Sequence, residues 1–139
     1  MLRNFFSFLL IFLFLNSCLF AQKLHINEFL ASNSNVVADE NGEFDDWVEI
    51  FNSDSIAINI GGLYFTDDLD DPTKGQIPNT DSMLTTIPAG GFLLVWFDGN
   101  PEQGVLHVDF KLGAGGDDIG IYTSDLIAID TLSYAVQSA

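Results

Sequence analysis

Residues 47–52 read WVEIFN. Val48 and Ile50 fall on one side of an alternation, and Trp47, Glu49 and Phe51 on the other. That period of two is the mark of a half-buried β-strand, and it predicts Val48 and Ile50 in a core. Directly upstream, ADENGEFDD (38–46) carries five carboxylates, those of Asp39, Glu40, Glu43, Asp45 and Asp46. A strand therefore opens straight out of a strongly acidic loop.

Working outward, the same punctuated pattern continues in both directions. LHINEFLA (24–31) precedes the loop, and IAINI (56–60) and LYFT (63–66) follow the strand. Further on come MLTTI (83–87), FLLVWF (92–97), HVDFKL (107–112), DIGIY (118–122) and LIAIDTLSY (126–134). These runs are rich in β-branched and aromatic residues, and none holds a 3.6-residue period. Turn signals every 8 to 15 residues are the spacing of an all-β sandwich or barrel. FLLVWF is apolar at every position, which predicts a central strand covered on both faces, with Trp96 buried and Leu94 beside it in the core. Gly61-Gly62 and Gly90-Gly91 supply positive φ for tight turns, and Pro88 pre-sets the turn before the second pair. No internal repeat and no interdomain linker is visible.

Charge excludes some partners. The chain has 20 acidic residues against four Lys and Arg, a formal net charge of −16. Such a field repels phosphate backbones and anionic lipid surfaces, so nucleic-acid binding is excluded. The recurring Val, Ile, Leu, Phe and Trp separate this chain from an acidic disordered tail.

The first 21 residues, MLRNFFSFLLIFLFLNSCLFA, are set apart from the rest. One cation, Arg3, precedes an apolar run from Phe5 to Leu15, with small residues near its end, the layout of a secretory signal peptide. The run is shorter than the roughly 20 residues that a membrane-crossing helix needs. Cleavage after Ala21 would start the exported domain, residues 22–139, at Gln22. The competing site is Cys18 in LNSC, a lipoprotein-like box. Asn16 and Leu19 fit it poorly, which favours soluble secretion or surface display over a lipid anchor. Cys18 is the only cysteine, so no disulfide can staple the domain, and its stability must come from packing.

Candidate chemistry is sparse. KLGAGGDDIG (111–120) lacks dinucleotide spacing, precedes a strand and places Asp117 and Asp118 where an anion would sit, so it reads as a turn. No strand-turn-helix context supports a nucleophilic serine, and no cysteine nucleophile survives export. Glu28 and Glu49 are the only carboxylate pair considered for glycoside hydrolysis, and each lies inside a strand, where alternation readily gives it a solvent face. His25 and His107 are too few for a zinc site unless carboxylates complete it, and they read as ordinary strand-face residues. The acidic loop is the strongest candidate. Asp39, Asn41, Glu43, Asp45 and Asp46 offer oxygens at near-alternate positions around Gly42, the composition of a calcium loop, although the EF-hand pattern is not met. Asp67, Asp68, Asp70 and Asp71 in TDDLDDP would add ligands if the fold brought them close. The alternative is that both segments are solvated loops.

Five stretches taken in order, INEFLASN, DENGEFDDWVEIFN, LYFTDDLDDPTKGQIP, IPAGGFLLVW and DFKLGAGGDDIGIY, resemble a lamin-tail domain of the secreted bacterial type, from about Leu24 to Gln137. The resemblance implies an immunoglobulin-like β-sandwich acting as a non-catalytic interaction module. It also implies structural roles for Trp47, Glu49 and Asn52 in W-x-E-x-x-N, and for Gly90, Gly91 and Trp96 in PAGG…LLVW. Relatives of this type are often multidomain. The expectation is a secreted binding or anchoring module at the N-terminus of a larger surface protein, with an unidentified protein or surface ligand. An accessory domain of an extracellular hydrolase, its catalytic part beyond residue 139, is the alternative.

Overall fold

In the computed structural model, which describes residues 23–137, the strand β2 (Asp46–Asn52) keeps the alternation of its sequence. Val48 and Ile50 are fully buried, while Glu49 and Phe51 are half-buried. β2 lies between β1 (Leu24–Leu30) and β7 (Phe92–Phe97), antiparallel to both, and β8 (His107–Val108) completes the sheet in the order β1-β2-β7-β8. A second four-stranded sheet runs β10-β9-β4-β5, from β10 (Ala128–Ala135), β9 (Gly116–Tyr122), β4 (Tyr64–Thr66) and β5 (Gly75–Gln76). A two-stranded ribbon of β3 (Ile58–Asn59) and β6 (Thr86–Ile87) closes one side. A single 3₁₀ turn, Pro101–Gln103, is the only helical element among the described residues, and none of the helix type is long and apolar enough to cross a membrane.

Between the sheets, Val48, Ile50, Val95, Phe97 and Val108 of the first meet Phe65, Ile119 and Ile121 of the second. The Phe65 and Phe97 rings meet edge-on, with centroids 6.3 Å apart. This is a β-sandwich, one of the two architectures that the turn spacing allows, and of the immunoglobulin-like kind that the resemblance implies. Not every pairing is antiparallel: β7 and β8 run parallel, with Trp96 opposite His107 and Phe97 opposite Val108. The 97–107 connection loops through the 3₁₀ turn, which lets the chain return in the same direction.

β7 departs from expectation in one respect. Its second half, Val95 to Phe97, is buried on both faces, but Phe92 is 52% exposed and Leu93 and Leu94 are half-buried. Leu94 stands opposite Glu49 on the outer face and is not a core residue. Trp96 is buried, at 6% exposure, yet it shares that outer face, outside the inter-sheet cluster. The sequence could report apolar character at every position of β7 but not how far along the strand a cover extends. MLTTI is likewise shortened to β6, with Met83 and Leu84 exposed in the preceding turn.

Side chains fasten the loops to this frame. Asn52 is fully buried, and its Nδ2 donates to the carbonyls of Ile56, Ile87 and Pro88 while its Oδ1 accepts from the Asp54 N–H. It ties the β2–β3 connection to the Gly90-Gly91 turn. Glycine is favoured at 91, because a Cβ would stand a tight 3.0 Å from the Pro88 carbonyl oxygen. The outer edge of β1 is closed by the end of the chain. Asp130 accepts from the Ile26 N–H, and the Gln137 amide both accepts from Ala31 N–H and donates to Phe29 C=O. Edge groups that would otherwise invite another strand are thereby occupied.

The signal peptide, the Ala21/Gln22 cleavage point and Cys18 lie outside the described residues.

Candidate functional site

The acidic loop is held together by one of its own carboxylates. Asp39 Oδ1 accepts from the N–H groups of Asn41 (2.9 Å) and Glu43 (2.8 Å), and Oδ2 accepts from Asn41 Nδ2 (3.2 Å). Its backbone adds two bonds, Asp39 N–H to Glu43 C=O and Gly42 N–H to Asp39 C=O. Gly42 has φ +83°, where a side chain would be strained. Burial pushes the Asp39 carboxyl upward, but these donors together outweigh it and hold the pKa below the usual value.

The loop does not hang in solvent. Asp39 and Glu40 bring it against the two buried polar groups Asp98 and His107 on the outer face of the first sheet. Asp98 follows β7 by one residue, on the side shared with Trp96. His107 opens β8 opposite Trp96, and the two rings lie within 24° of parallel with centroids 6.3 Å apart. His107 Nδ1 is 2.5 Å from Asp98 Oδ2, and its Nε2 is 3.1 Å from Glu40 Oε1. Gln103 Nε2 of the 3₁₀ turn donates to Glu43 Oε2 at 2.7 Å. Desolvation pulls the His107 pKa down, yet the bonds to Asp98 and Glu40 and their charges prevail, and the net direction is upward.

Two overlapping groups place one ligand atom per residue within 4.8 Å of each other: Asp39, Glu43 and Asp45, and Asp39, Asp98 and His107. Of the five candidates proposed from the sequence, the first group unites Asp39, Glu43 and Asp45. Asn41 turns its amide nitrogen toward Asp39. Asp46 faces elsewhere and is held by the N–H groups of Asn33 and Leu112, although burial still raises its pKa. The second acidic segment does not join either group: Asp67 and Asp68 line a separate polar cleft with Lys74, Asp117 and Asp118, and Lys74 pairs with Asp67.

Asp45 is the uncomfortable member. Desolvation and then repulsion from Asp98 raise its pKa, Lys111 offsets part of this, and Glu43 and Asp39 add to the rise. Its Oδ2 is buried without a hydrogen-bond donor, as are Trp47 Nε1, which lacks an acceptor, and Gln103 Oε1.

Asp98, Glu40, Gln103 and His107 are the site residues that sequence reasoning missed. Alternation in HVDFKL sets His107 with Asp109 and Lys111 on the side away from Val108, Phe110 and Leu112, which marks it as outward-facing. That placement is correct. Its burial comes from a cover contributed 67 residues away in sequence, which no local pattern encodes.

A family model for the lamin tail domain matches residues 21–135. The chain belongs to the lamin tail domain family. Comparison with curated proteins gave no significant match. Lamin tail domains are immunoglobulin-like and non-catalytic, and they serve in general as binding or structural modules. The positions implied by the resemblance fit that structural use. Asn52 is the buried clasp of the β2–β3 connection, Gly90 (φ +66°) and Gly91 form the turn between β6 and β7, and Trp47 and Trp96 are register partners on the outer face. Glu49 stands opposite Glu28 on an open strand face, where Asn27 Nδ2 donates to it at 2.7 Å.

Proposed function

We propose that this lamin tail domain is an exported, non-catalytic binding or anchoring module, the N-terminal part of a larger cell-surface or extracellular protein. The observation that supports binding best lies at the end of the sandwich remote from the acidic loop. There an apolar cavity of about 280 Å³ is lined by Leu24, Ile56, Ile58, Leu63, Ile127 and Ile129, among others. Ile56 and Ile127 are each 65% exposed, aliphatic surface that a free-standing domain gains nothing by keeping in water. Next to them Leu126 has φ +61°, a left-handed conformation that costs a leucine about 1–2 kcal/mol. Strain and exposed apolar side chains at one hairpin tip are features of recognition loops.

Export rests on the leader-like composition of residues 1–21 and predicts a mature chain that starts at Gln22. Intact mass of the exported protein checks this, and a chain that begins at a lipidated Cys18 overturns soluble export. The binding surface is tested by placing Ile56→Asp with Ile127→Asp in the full-length protein. Wild type is expected to be retained at the cell surface or in a complex, and the double variant to be released at an unchanged melting temperature. Equal retention of both overturns the assignment of this end.

A further inference from the structure

The apolar cavity walled by Ile56 and Ile127 does not stand alone. It runs into a second cleft, a polar trough of about 590 Å³ whose walls include Gln76, Asn79, Ser124 and Asp125, all exposed. Leu63, Thr123 and Ile127 line both spaces, so the two are contiguous across the tip of the β9–β10 hairpin. That shared wall is firmly built. Thr123 N–H donates to Ile127 C=O, Leu126 N–H donates to Thr123 C=O, and the Thr123 hydroxyl accepts from Ile127 N–H at 3.1 Å. One side of the trough is bare backbone. Gly62 (φ +86°) has open space where a Cβ would stand, and a Cβ on Gly61 would come within 2.8 Å of Asn79 Oδ1.

The two halves suit different chemistry. The cavity, about 280 Å³ with aliphatic walls, has room for one large apolar side chain, since roughly half that volume holds a benzene ring. Lys23 is the one cation lining either space among the described residues, and it is bonded to Asp54 at 3.2 Å. A fatty-acid carboxylate would therefore meet Asp54 and Asp125 and find its only cation already paired. In the trough, Asp125 presents an exposed carboxylate. Gln76 turns its Nε2 to the Gly62 carbonyl at 3.1 Å, which leaves its Oε1 to accept from a ligand. These acceptors suit a guanidinium or ammonium group, and so does the field of a chain with net charge −16. A second copy of this chain would bring the same negative field and be repelled. Side chains at i and i+2 of an extended peptide share one face about 7 Å apart, so one short segment can serve two contiguous clefts.

We propose that this double cleft takes an extended, basic peptide segment of a partner protein, with one bulky apolar side chain in the cavity and a Lys or Arg reaching Asp125 across the Ile127 wall. The inference rests on the reading of this end as the binding surface and adds the chemistry of the occupant. The apolar anchor supplies affinity by burial, and the charge selects against acidic competitors.

The probe is a fluorescein-labelled peptide, blocked at both ends, with leucine, serine and two arginines in that order at its centre. Titrated with the full chain, its anisotropy is expected to rise, and less so at high salt. Alanine in place of the probe's leucine should weaken binding about tenfold or more, and glutamates in place of its arginines should abolish it. On the protein, Ile127→Asp changes an exposed side chain, so the fold should persist while binding is lost. Asp125→Asn should weaken binding about threefold and flatten its salt dependence. Glu102→Gln, in the 3₁₀ turn, should leave binding unchanged. Equal binding of the arginine and glutamate probes would overturn the basic occupant. Binding indifferent to Ile127→Asp would overturn the occupant and the surface together. If no peptide binds while cell-surface retention still depends on Ile56 and Ile127, the surface stands and this occupant falls. Decanoate raising the melting temperature where no peptide binds would make the cavity a small-molecule pocket, and self-association lost in Ile127→Asp would make the occupant a second copy.

Discussion

On the inner face of β2 and β7, Val48, Ile50, Val95 and Phe97 pack against the second sheet, and the fully buried polar side chain on that side, Asn52, sits at the end of β2 with its amide satisfied. On the outer face of the same strands, Trp47 and Trp96 are almost as deeply buried, and Asp98 and His107 are enclosed near them, with Glu40 of the acidic loop bonded to the His107 ring. The first face is shielded by a regular element whose apolar residues match it. The second encloses polar groups and is bonded to a loop held together through Asp39. A dry layer tolerates only shape errors, whereas a polar one must also satisfy each charge that it encloses. The inner face therefore provides stability, and the outer face is where pH can act.

The sharpest way to break this distinction is to truncate both faces at neighbouring positions. Phe97→Ala and Trp96→Ala should each cost about 3–5 kcal/mol, the range for large aromatic truncations in cores. Such a loss is a large part of the usual margin of about 5–15 kcal/mol. Denaturant unfolding checks it, and a loss below about 1 kcal/mol for Trp96→Ala alone would show that the outer face is not packed as the inner one is.

Asn52→Ala tests whether polar clasps matter as much as either face. It leaves the Ile56, Ile87 and Pro88 carbonyls without their shared donor, at a cost of about 2–3 kcal/mol. A loss under about 0.5 kcal/mol would mean that water replaces the amide freely.

The two faces should also differ in their response to pH. The folded pKa of His107 lies above its unfolded value. Its contribution is then fully present below about pH 6.5 and is lost as pH rises through the folded pKa. Melting temperature should thus fall across that window in wild type, and the His107→Gln variant should lack this fall. If both respond alike, the ring carries no extra proton in the folded state.

The smallest effect belongs to the uncovered half of the outer face. Phe92 is half exposed and stacks on Phe51 with centroids 4.8 Å apart, so Phe92→Ser should cost only about 0.5–1.5 kcal/mol. A cost matching that of Trp96→Ala would extend the covered region along the whole strand.

This division also marks what the sequence makes legible. Alternation in WVEIFN identifies the inner residues because strand geometry sends every second side chain the same way. Turn residues such as Gly90-Gly91 identify where strands end. FLLVWF shows no alternation, and neither local composition nor period could divide it into the open Phe92–Leu94 and the enclosed Val95–Phe97. The candidate site was half visible for the same reason. Carboxylates in one loop are adjacent in sequence, so Asp39, Glu43 and Asp45 could be grouped in advance. Asp98 and His107 reach that group only through the return of the chain after β7, and their pairing is a property of the assembled sheet.

The closure of β1 by Asp130 and Gln137 bears on when this chain can fold. The bonds join positions 104 to 108 residues apart, so the first strand keeps open edge groups until nearly the last residue of the domain is available. Contacts of such long range are slow to form. During synthesis the amino-terminal half cannot complete its native edge while the carboxy-terminal part is still being made. The domain therefore reaches its final state late, when β10 and the segment after it lock against β1.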